Sequence, residues 1–121
     1  MNHLLGVYGT LRKGEGNHRL LRDSEFLGFH STLPTYTMYS NGGFPYVTPS
    51  GTTSITLEIY RVTDPVILRD IYRLEGFSGT RNNSRNWYES MDVDTAFGPA
   101  EIFISEPKNL PIIDSGDWKS R

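Results

Sequence analysis

The sequence predicts a single α+β domain, residues 1–121, that consists mostly of β structure. Its 121 residues fit one domain of ordinary size. Twelve Gly and seven Pro interrupt the chain often, which favours short strands and turns over long helices. Hydrophobic residues make up 36% of the chain and aromatic residues occur along its whole length, so disorder and a coiled coil are excluded.

The N-terminal third contains the first strands and a glycine-rich loop. The apolar run His3–Tyr8 predicts a buried first strand, and residues 9–16 form a loop rich in Gly and basic residues. Asn17 is expected to cap a brief helix. The extended character of residues 25–40 predicts two strands or one bent strand.

The middle of the chain contains the clearest strand. Turn residues at 41–43 and 49–51 enclose a short apolar segment at 44–47. Thr52–Val62 then predicts a β-branched strand with strict alternation between two faces. One face carries Ile55, Leu57 and Ile59, and the other carries Thr56, Glu58 and Tyr60.

A helix follows this strand. Asp64 can accept hydrogen bonds from the free N–H groups of the first turn, and Pro65 fits the first helical position because it has no N–H. Apolar residues at helical spacing extend the prediction to Leu74 or Glu75, where Gly76 supplies a left-handed stop.

The last third of the chain predicts a loop and a hairpin. Residues 77–86 are polar and predict a loop, and residues 86–93 and 100–105 predict two strands. Gly98-Pro99 is the expected turn between these strands. No repeat or low-complexity linker is present.

Composition excludes several classes of site. The lack of Cys excludes disulfides, thiolate metal sites and a cysteine nucleophile. His3, His18 and His30 lack metal-ligand spacing, so we predict no metal and no cofactor. A net charge of −2 gives no global reason to bind nucleic acid or a membrane surface. Without an export segment or a spanning run, the expectation is a cytoplasmic protein. Composition contains no signal for a particular oligomeric state.

The glycine-rich loop does not fit a nucleotide-binding motif. Gly9 and Gly14 have P-loop spacing, but Glu15 and Gly16 stand where Lys and Ser or Thr are required. Arg19 occupies the third glycine position of a dinucleotide fingerprint. Small residues leave main-chain N–H groups accessible to a carboxylate or an oxyanion. A plain tight turn is the alternative interpretation.

Glu75 is the second candidate for chemistry. It is predicted in the last helical turn, where the partial negative charge of the helix end disfavours a carboxylate. Apolar Leu74 and Phe77 would add desolvation, and both effects raise a carboxyl pKa above about 4.3. An acid or base that works near neutral pH is made in this way. The alternative is a solvated glutamate at a helix end.

Taken together, these residues resemble the gamma-glutamylcyclotransferase-like family, which includes gamma-glutamylamine cyclotransferases. The resemblance covers nearly the whole chain in the family's order. Its blocks are Val7–Gly14 with Asn17, Phe44-Pro45, Leu57–Val62, Leu74–Gly76, Trp87–Glu89 and Ser115–Trp118.

The resemblance implies a small mixed β-barrel flanked by short helices, with a pocket at one mouth. It implies that the substrate is a small gamma-glutamyl compound, that Glu75 is the acid/base, and that ring closure gives 5-oxoproline and a free amine without a cofactor. It also implies the substrate-binding residues Tyr8, Gly9, Thr10, Leu11 and Tyr88.

Two positions depart from the family pattern. Tyr72 stands where the family often has Asp, and Ser90 stands where it often has Arg. These departures put the substrate's identity in question and motivate an alternative, a non-catalytic module that binds a small metabolite or partner. A more distant alternative is nucleic-acid binding through Arg73, Arg81 and Arg85, which predicts salt-dependent retention. The loop at 77–86, next to Glu75, is a candidate lid.

Overall fold

The computed structural model describes all residues, 1–121, and contains seven strands, one α-helix and two 3₁₀ helices. In chain order these are β1 (His3–Val7), a first 3₁₀ helix (His18–Leu21), β2 (Glu25–Ser31), β3 (Tyr36–Ser40), β4 (Pro45–Thr53), β5 (Thr56–Val62), α1 (Pro65–Glu75), β6 (Glu89–Thr95), β7 (Gly98–Ile104) and a second 3₁₀ helix (Trp118–Ser120).

Five strands form one mixed sheet in the order β2-β5-β1-β7-β6, and β3 and β4 form a separate hairpin. Strand β1 lies at the centre, antiparallel to β5 and parallel to β7. The mixed α+β class is therefore confirmed. The hydrogen-bonded strands form an open sheet and a hairpin rather than a closed ring, so the implied barrel is not confirmed.

Strand β5 is buried on both faces of the five-stranded sheet. Leu57 and Ile59 of β5 join a core that includes Met38 and Val47 of the β3-β4 hairpin. The opposite face of β5 contributes Tyr60 to a second core that includes Ile71 of α1. The alternation predicted for this strand is thus confirmed. Each face of β5 packs into a separate hydrophobic cluster.

The local signals for α1 are confirmed. The Asp64 side chain accepts a hydrogen bond from the Val66 N–H at 2.9 Å, and Pro65 occupies the first turn. Gly76 ends the helix in the left-handed conformation, with φ of 63°. No helix of the protein combines the length and the apolar character needed to cross a membrane.

The prediction that Asn17 caps the first 3₁₀ helix is wrong. Its side chain makes no capping hydrogen bond, and its ψ of 5° lies outside the extended region typical of such caps. The Asn17 Nδ2 group instead donates to the Thr10 hydroxyl at 2.9 Å. A contact with the preceding loop has replaced the local cap.

The predicted turn at 49–51 is wrong, because these residues lie inside β4, which continues to Thr53. The strand predicted from Thr52 therefore begins later, and β5 starts at Thr56. The pairing with β3 jumps from Thr48 to Thr53, and the residues between them are left out of the backbone register, although the Ser50 carbonyl accepts from the Thr37 hydroxyl at 2.7 Å. The turn signals therefore mark an irregularity in a strand.

The final hairpin turns at 96–97, and Gly98-Pro99 begins β7. The Thr95 hydroxyl closes this turn by accepting from the Phe97 N–H at 3.1 Å and donating to the Gly98 carbonyl at 2.6 Å. Strand β6 starts at Glu89 rather than at 86, which leaves Trp87 outside the sheet.

Candidate active site

A cavity of about 620 Å³ opens where the end of β1, the end of α1 and the start of β4 meet. This volume suits a small organic ligand. The cavity brings together all of the sequence-predicted site residues, which are Tyr8, Gly9, Thr10, Leu11, Glu75 and Tyr88. The other lining residues are Gly6, Val7, Asn17, Phe44, Pro45, Tyr46, Arg73, Leu74, Gly76, Trp87, Phe103 and Lys108.

The loop after β1 presents main-chain donors to this cavity. The N–H groups of Gly9, Thr10 and Leu11 donate no hydrogen bond to a protein acceptor. The loop is nevertheless fixed, because the Gly9 carbonyl accepts from the Arg12 N–H at 3.1 Å and the Thr10 carbonyl accepts from the Asn17 N–H at 2.9 Å. Three ordered donors therefore remain available to a ligand.

Gly9 is required by the close approach of β4. A Cβ atom at this position would lie 2.8 Å from the Pro45 ring, closer than real Cβ contacts allow. The glycine that the sequence placed in a turn thus lets two walls of the cavity touch. The Phe44-Pro45 block of the resemblance acquires a physical role here.

A buried ion pair anchors the far end of the loop. The Arg12 Nε group donates to Glu58 Oε2 at 2.8 Å, and Glu58 Oε1 accepts from the Lys13 N–H and the Tyr60 hydroxyl at 2.9 Å each. Burial alone would raise the pKa of Glu58, but these hydrogen bonds outweigh it and hold the pKa below its ordinary value. Glu58 is therefore a charged acceptor for three donors.

The C-terminal segment closes over the same loop. Arg12 Nη1 donates to Asp117 Oδ1 at 2.6 Å, and the Trp118 indole N–H donates to Glu15 Oε1 at 3.0 Å. Trp118 is 1% exposed and belongs to the core on the hairpin side of the sheet. The loop that carries the free N–H groups is thus held by Glu58 of β5 on one side and by the C-terminal segment on the other.

Glu75 is the last residue of α1 and lies in the cavity wall, partly buried. Its carboxylate makes no hydrogen bond or ion pair with another residue. Burial raises the pKa of Glu75 from 4.5 to about 7. Near neutral pH the protonated and ionised forms are therefore both populated, as an acid/base requires.

Two tyrosines lie beside this carboxylate without neutralising it. The Tyr8 hydroxyl donates to the Phe103 carbonyl at 2.6 Å, and the Tyr88 hydroxyl donates to the Pro45 carbonyl at 3.1 Å. Burial raises the pKa of both phenols, and the negative charge of Glu75 raises it further. Both phenols therefore stay protonated and serve as walls.

The sequence did not assign the exposed part of the cavity lining to substrate binding. It consists of Phe44, Arg73, Leu74, Trp87 and Lys108, which we call the outer ring. Trp87 and Phe44 occur in blocks of the resemblance, whereas Lys108 lies in a tail without any local motif. The Trp87 N–H donates to the Gly76 carbonyl at 2.9 Å, so the residue that ends α1 also fixes the main chain at Trp87.

The two departures from the family pattern meet outside the cavity. The Tyr72 hydroxyl donates to Glu101 Oε1 at 2.6 Å, and both Tyr72 and Ser90 help to hold the pKa of this buried carboxyl below its ordinary value. His3 Nε2 lies 2.9 Å from the same oxygen. Neither Tyr72 nor Ser90 lines the cavity, so the departures leave its walls unchanged.

The loop at 77–86 contributes no residue to the cavity lining. Its Arg81 pairs with Asp92 at 2.9 Å and donates to the Ser90 hydroxyl at 3.0 Å. Arg73 faces the cavity instead. Of the arginines suggested for nucleic-acid binding, Arg81 is thus paired with a carboxylate and Arg73 lines the cavity.

Comparison with known proteins identifies a family that covers nearly the whole chain. The family described as gamma-glutamyl cyclotransferase, AIG2-like, matches residues 5–120. A Vibrio cholerae protein named "Putative gamma-glutamylcyclotransferase" is 37% identical over 123 residues, covering 100% of this chain and 99% of its own. The Escherichia coli K12 gamma-glutamylcyclotransferase family protein YtfP is 30% identical over 117 residues, covering 95% of each chain.

Solved structures show the same fold. A crystal structure of a Pyrococcus horikoshii protein aligns with a TM-score of 0.77 and 29% identity, covering 98% of this chain and 91% of that one. The solution structure of Escherichia coli YtfP aligns with a TM-score of 0.70 and 29% identity, covering 95% of each chain. With the family match spanning nearly all of the sequence, the chain belongs to the AIG2-like gamma-glutamyl cyclotransferase family.

Proposed function

We propose that the protein cyclises a small gamma-glutamyl compound to 5-oxoproline and releases the attached amine. The observation that carries the proposal is the unpaired Glu75 carboxyl, with a pKa of about 7, in the same cavity as the three free N–H groups of Gly9, Thr10 and Leu11. This arrangement supplies proton transfer and anion stabilisation without a protein nucleophile.

The reaction consists of one intramolecular substitution. The substrate's α-amine attacks its γ-carbonyl carbon, a new C–N bond closes the five-membered ring, and the original amide C–N bond breaks. Glu75 takes a proton from the α-ammonium group before the attack and passes it to the leaving nitrogen as the amide bond breaks. The second proton that the ring nitrogen loses is transferred in the same way, so the amine leaves as an ammonium ion. A substrate held in this folded geometry gains an effective molarity of about 10⁵ M or more.

The loop donors and the tyrosines position the substrate. The N–H groups of Gly9, Thr10 and Leu11 hold the substrate carboxylate or the oxyanion that develops on the γ-carbonyl oxygen. Tyr8 and Tyr88 pack against the glutamyl chain, because their hydroxyls already donate to main-chain carbonyls. Their aromatic faces also exclude water from the reacting atoms.

Replacing the acid/base tests the proposal. Glu75→Gln keeps the shape of the side chain but cannot transfer a proton, so we expect release of 5-oxoproline to fall by about 10²-fold to 10⁴-fold. The wild-type kcat/KM should rise with pH through a midpoint near 7, the pKa of Glu75. Mass spectrometry after incubation with gamma-glutamyl dipeptides and gamma-glutamyl amines measures the product.

The matched control is Glu106→Gln, which removes an exposed carboxylate outside the cavity and should leave turnover unchanged. Circular dichroism checks that both variants are folded. A folded Glu75→Gln protein that cyclises substrate at the wild-type rate would show that Glu75 is not the acid/base. Wild-type protein that binds these compounds and returns all of them intact would support the binding-module alternative.

A further inference from the structure

Strand β2 forms one edge of the five-stranded sheet, and its outer side has no neighbouring strand. It pairs with β5 alone. Just after β2, the Thr32 N–H donates to the Ile55 carbonyl at 3.0 Å, and hydrogen-bonding residues alternate along an antiparallel strand. The main-chain groups of His30 therefore point towards β5, whereas those of Phe29 point away from the sheet. Unpaired main-chain groups on an edge are a template for another strand.

The opposite edge of the sheet is protected against such pairing, whereas β2 is not. Strand β6 carries three acidic residues, and the Arg81 side chain lies against it, with Nη2 donating to Asp92 Oδ1 at 2.9 Å. Charged side chains on an edge strand discourage the approach of another strand. Strand β2 has Glu25 at its first position and no other carboxylate, lysine or arginine. The two edges therefore differ in their capacity to accept a partner strand.

The exposed side of β2 is aromatic. Phe26 and Phe29 are 48% and 63% exposed, and their ring centroids lie 5.4 Å apart in an edge-to-face arrangement. Residues three apart in a regular strand point to opposite faces of the sheet. Here the pairing with β5 shifts between Phe26 and Gly28, so that Phe26 lies opposite Tyr60 and Phe29 opposite Glu58. This bulge returns both rings to the same face, next to the unpaired edge.

We propose that β2 pairs antiparallel with β2 of a second copy of the chain, about a twofold axis, so that the two sheets become one. In this register Phe26 lies opposite Phe29 of the second copy, and Glu25 lies opposite His30 of the second copy. The twofold axis repeats both pairs. Aromatic pairs and carboxylate-imidazole pairs both stabilise neighbouring strands, and the bulges of the two copies meet at the axis.

The self-complementary sequence of β2 is the reason for choosing a second copy as the partner. A twofold interface requires each residue to find its partner in the same segment of the other copy. Because of the bulge, Phe26 and Phe29 share one face of the sheet, and Glu25 and His30 share the other. Without the bulge, the members of each pair would point to opposite faces. No residue of β2 lines the cavity, so the dimer leaves both cavities open.

Introduced cysteines test the register, since the chain has no Cys of its own. In the Glu25→Cys/His30→Cys variant each thiol lies opposite a thiol of the second copy, within reach of a disulfide. Positions 25 and 30 of one extended strand are about 15 Å apart, which is too far for a disulfide within the chain. We expect mild oxidation to link the double variant into a dimer and to leave Glu25→Cys and His30→Cys, the matched controls, unlinked.

Sedimentation equilibrium over a dilution series measures the association itself. We expect wild-type protein to show a monomer-dimer equilibrium, and Phe29→Lys to weaken it by about thirtyfold, because it removes two aromatic pairs and adds a lysine to each edge. Val66→Lys, which changes an exposed apolar residue of α1, should leave the equilibrium unchanged. His30→Glu should weaken the dimer about fivefold through repulsion from Glu25, and Glu25→Lys/His30→Glu, which restores opposite charges, should recover most of this loss.

Three results would overturn the proposal. Wild-type protein that stays monomeric at every concentration would leave the edge of β2 to a partner of another sequence. A dimer that Phe29→Lys and Val66→Lys weaken equally would show that the copies meet at another surface. Single cysteine variants that cross-link as readily as the double variant would exclude the register. Gamma-glutamyl compounds enter none of these measurements, so their outcome is independent of the proposed reaction.

Discussion

The raised pKa of Glu75 should make the protein less stable above neutral pH. Folding raises this pKa from 4.5 to about 7, so the folded state binds the proton more tightly than the unfolded state. The ionised carboxylate therefore destabilises the fold, beginning above pH 4.5 and reaching its full effect above pH 7. At about 1.36 kcal/mol for each pH unit between 4.5 and 7, the full effect is about 3 kcal/mol.

Glu75→Gln should remove this destabilisation. The amide resembles the protonated carboxyl in shape, so the variant should match the wild type at pH 4 and exceed its free energy of unfolding by about 3 kcal/mol at pH 8. Urea unfolding at pH 4, 6 and 8 measures the difference. Glu106→Gln, which removes an exposed charge, should change stability by no more than about 0.5 kcal/mol at every pH. A difference between Glu75→Gln and wild type that does not vary with pH would refute the assignment of the raised pKa.

Two further substitutions test the loop that carries the main-chain donors. Gly9→Ala places a methyl group 2.8 Å from the Pro45 ring, so it should lower the free energy of unfolding by about 1 to 3 kcal/mol, measured by thermal unfolding. It should also weaken the binding of gamma-glutamyl ligands. Unchanged binding would mean that the donors do not contact the ligand. Glu58→Gln removes the buried charged partner of Arg12 and leaves it only the partly exposed Asp117, so it should cost about 3 kcal/mol at pH 7, measured by urea unfolding. Because folding lowers the pKa of Glu58, this loss should shrink as the pH falls below 4.5, and a pH-independent loss would contradict the ion-pair explanation.

The elements that could be predicted from sequence are those whose determinants are local. Asp64, Pro65 and Gly76 lie at the ends of α1 and act on the helix itself, so its bounds followed from the chain. The alternation in β5 was equally clear. The sequence could not show that both faces of this strand are buried, because that depends on the hairpin and helix packed on either side.

Predictions failed where a distant contact replaced a local preference. Asn17 is a residue type that often caps helices, but in the folded loop its side-chain amide donates to the Thr10 hydroxyl instead. Pro49 and Gly51 are typical turn residues, yet they lie in an irregular stretch of β4. In each case the residue type is typical of the predicted role, and the contact that overrides this preference is not visible from neighbouring positions.

The candidate site shows the same division. Glu75 and the loop after β1 carry chemical signals of their own, and the cavity contains both. Lys108 and Arg73 line the cavity together only because the folded chain brings them to the same place. No spacing rule connects residues 73, 87 and 108 in the sequence.

The contacts of the C-terminal segment join residues that are synthesised early to residues that are synthesised late. Arg12 and Asp117 are separated by 105 positions, and Glu15 and Trp118 by 103. A nascent chain on the ribosome would already contain the donor loop before Asp117 and Trp118, which hold that loop, had been synthesised. Full ligand affinity should therefore arise only after these residues are made, and proteolytic cleavage just before Asp117 should weaken ligand binding.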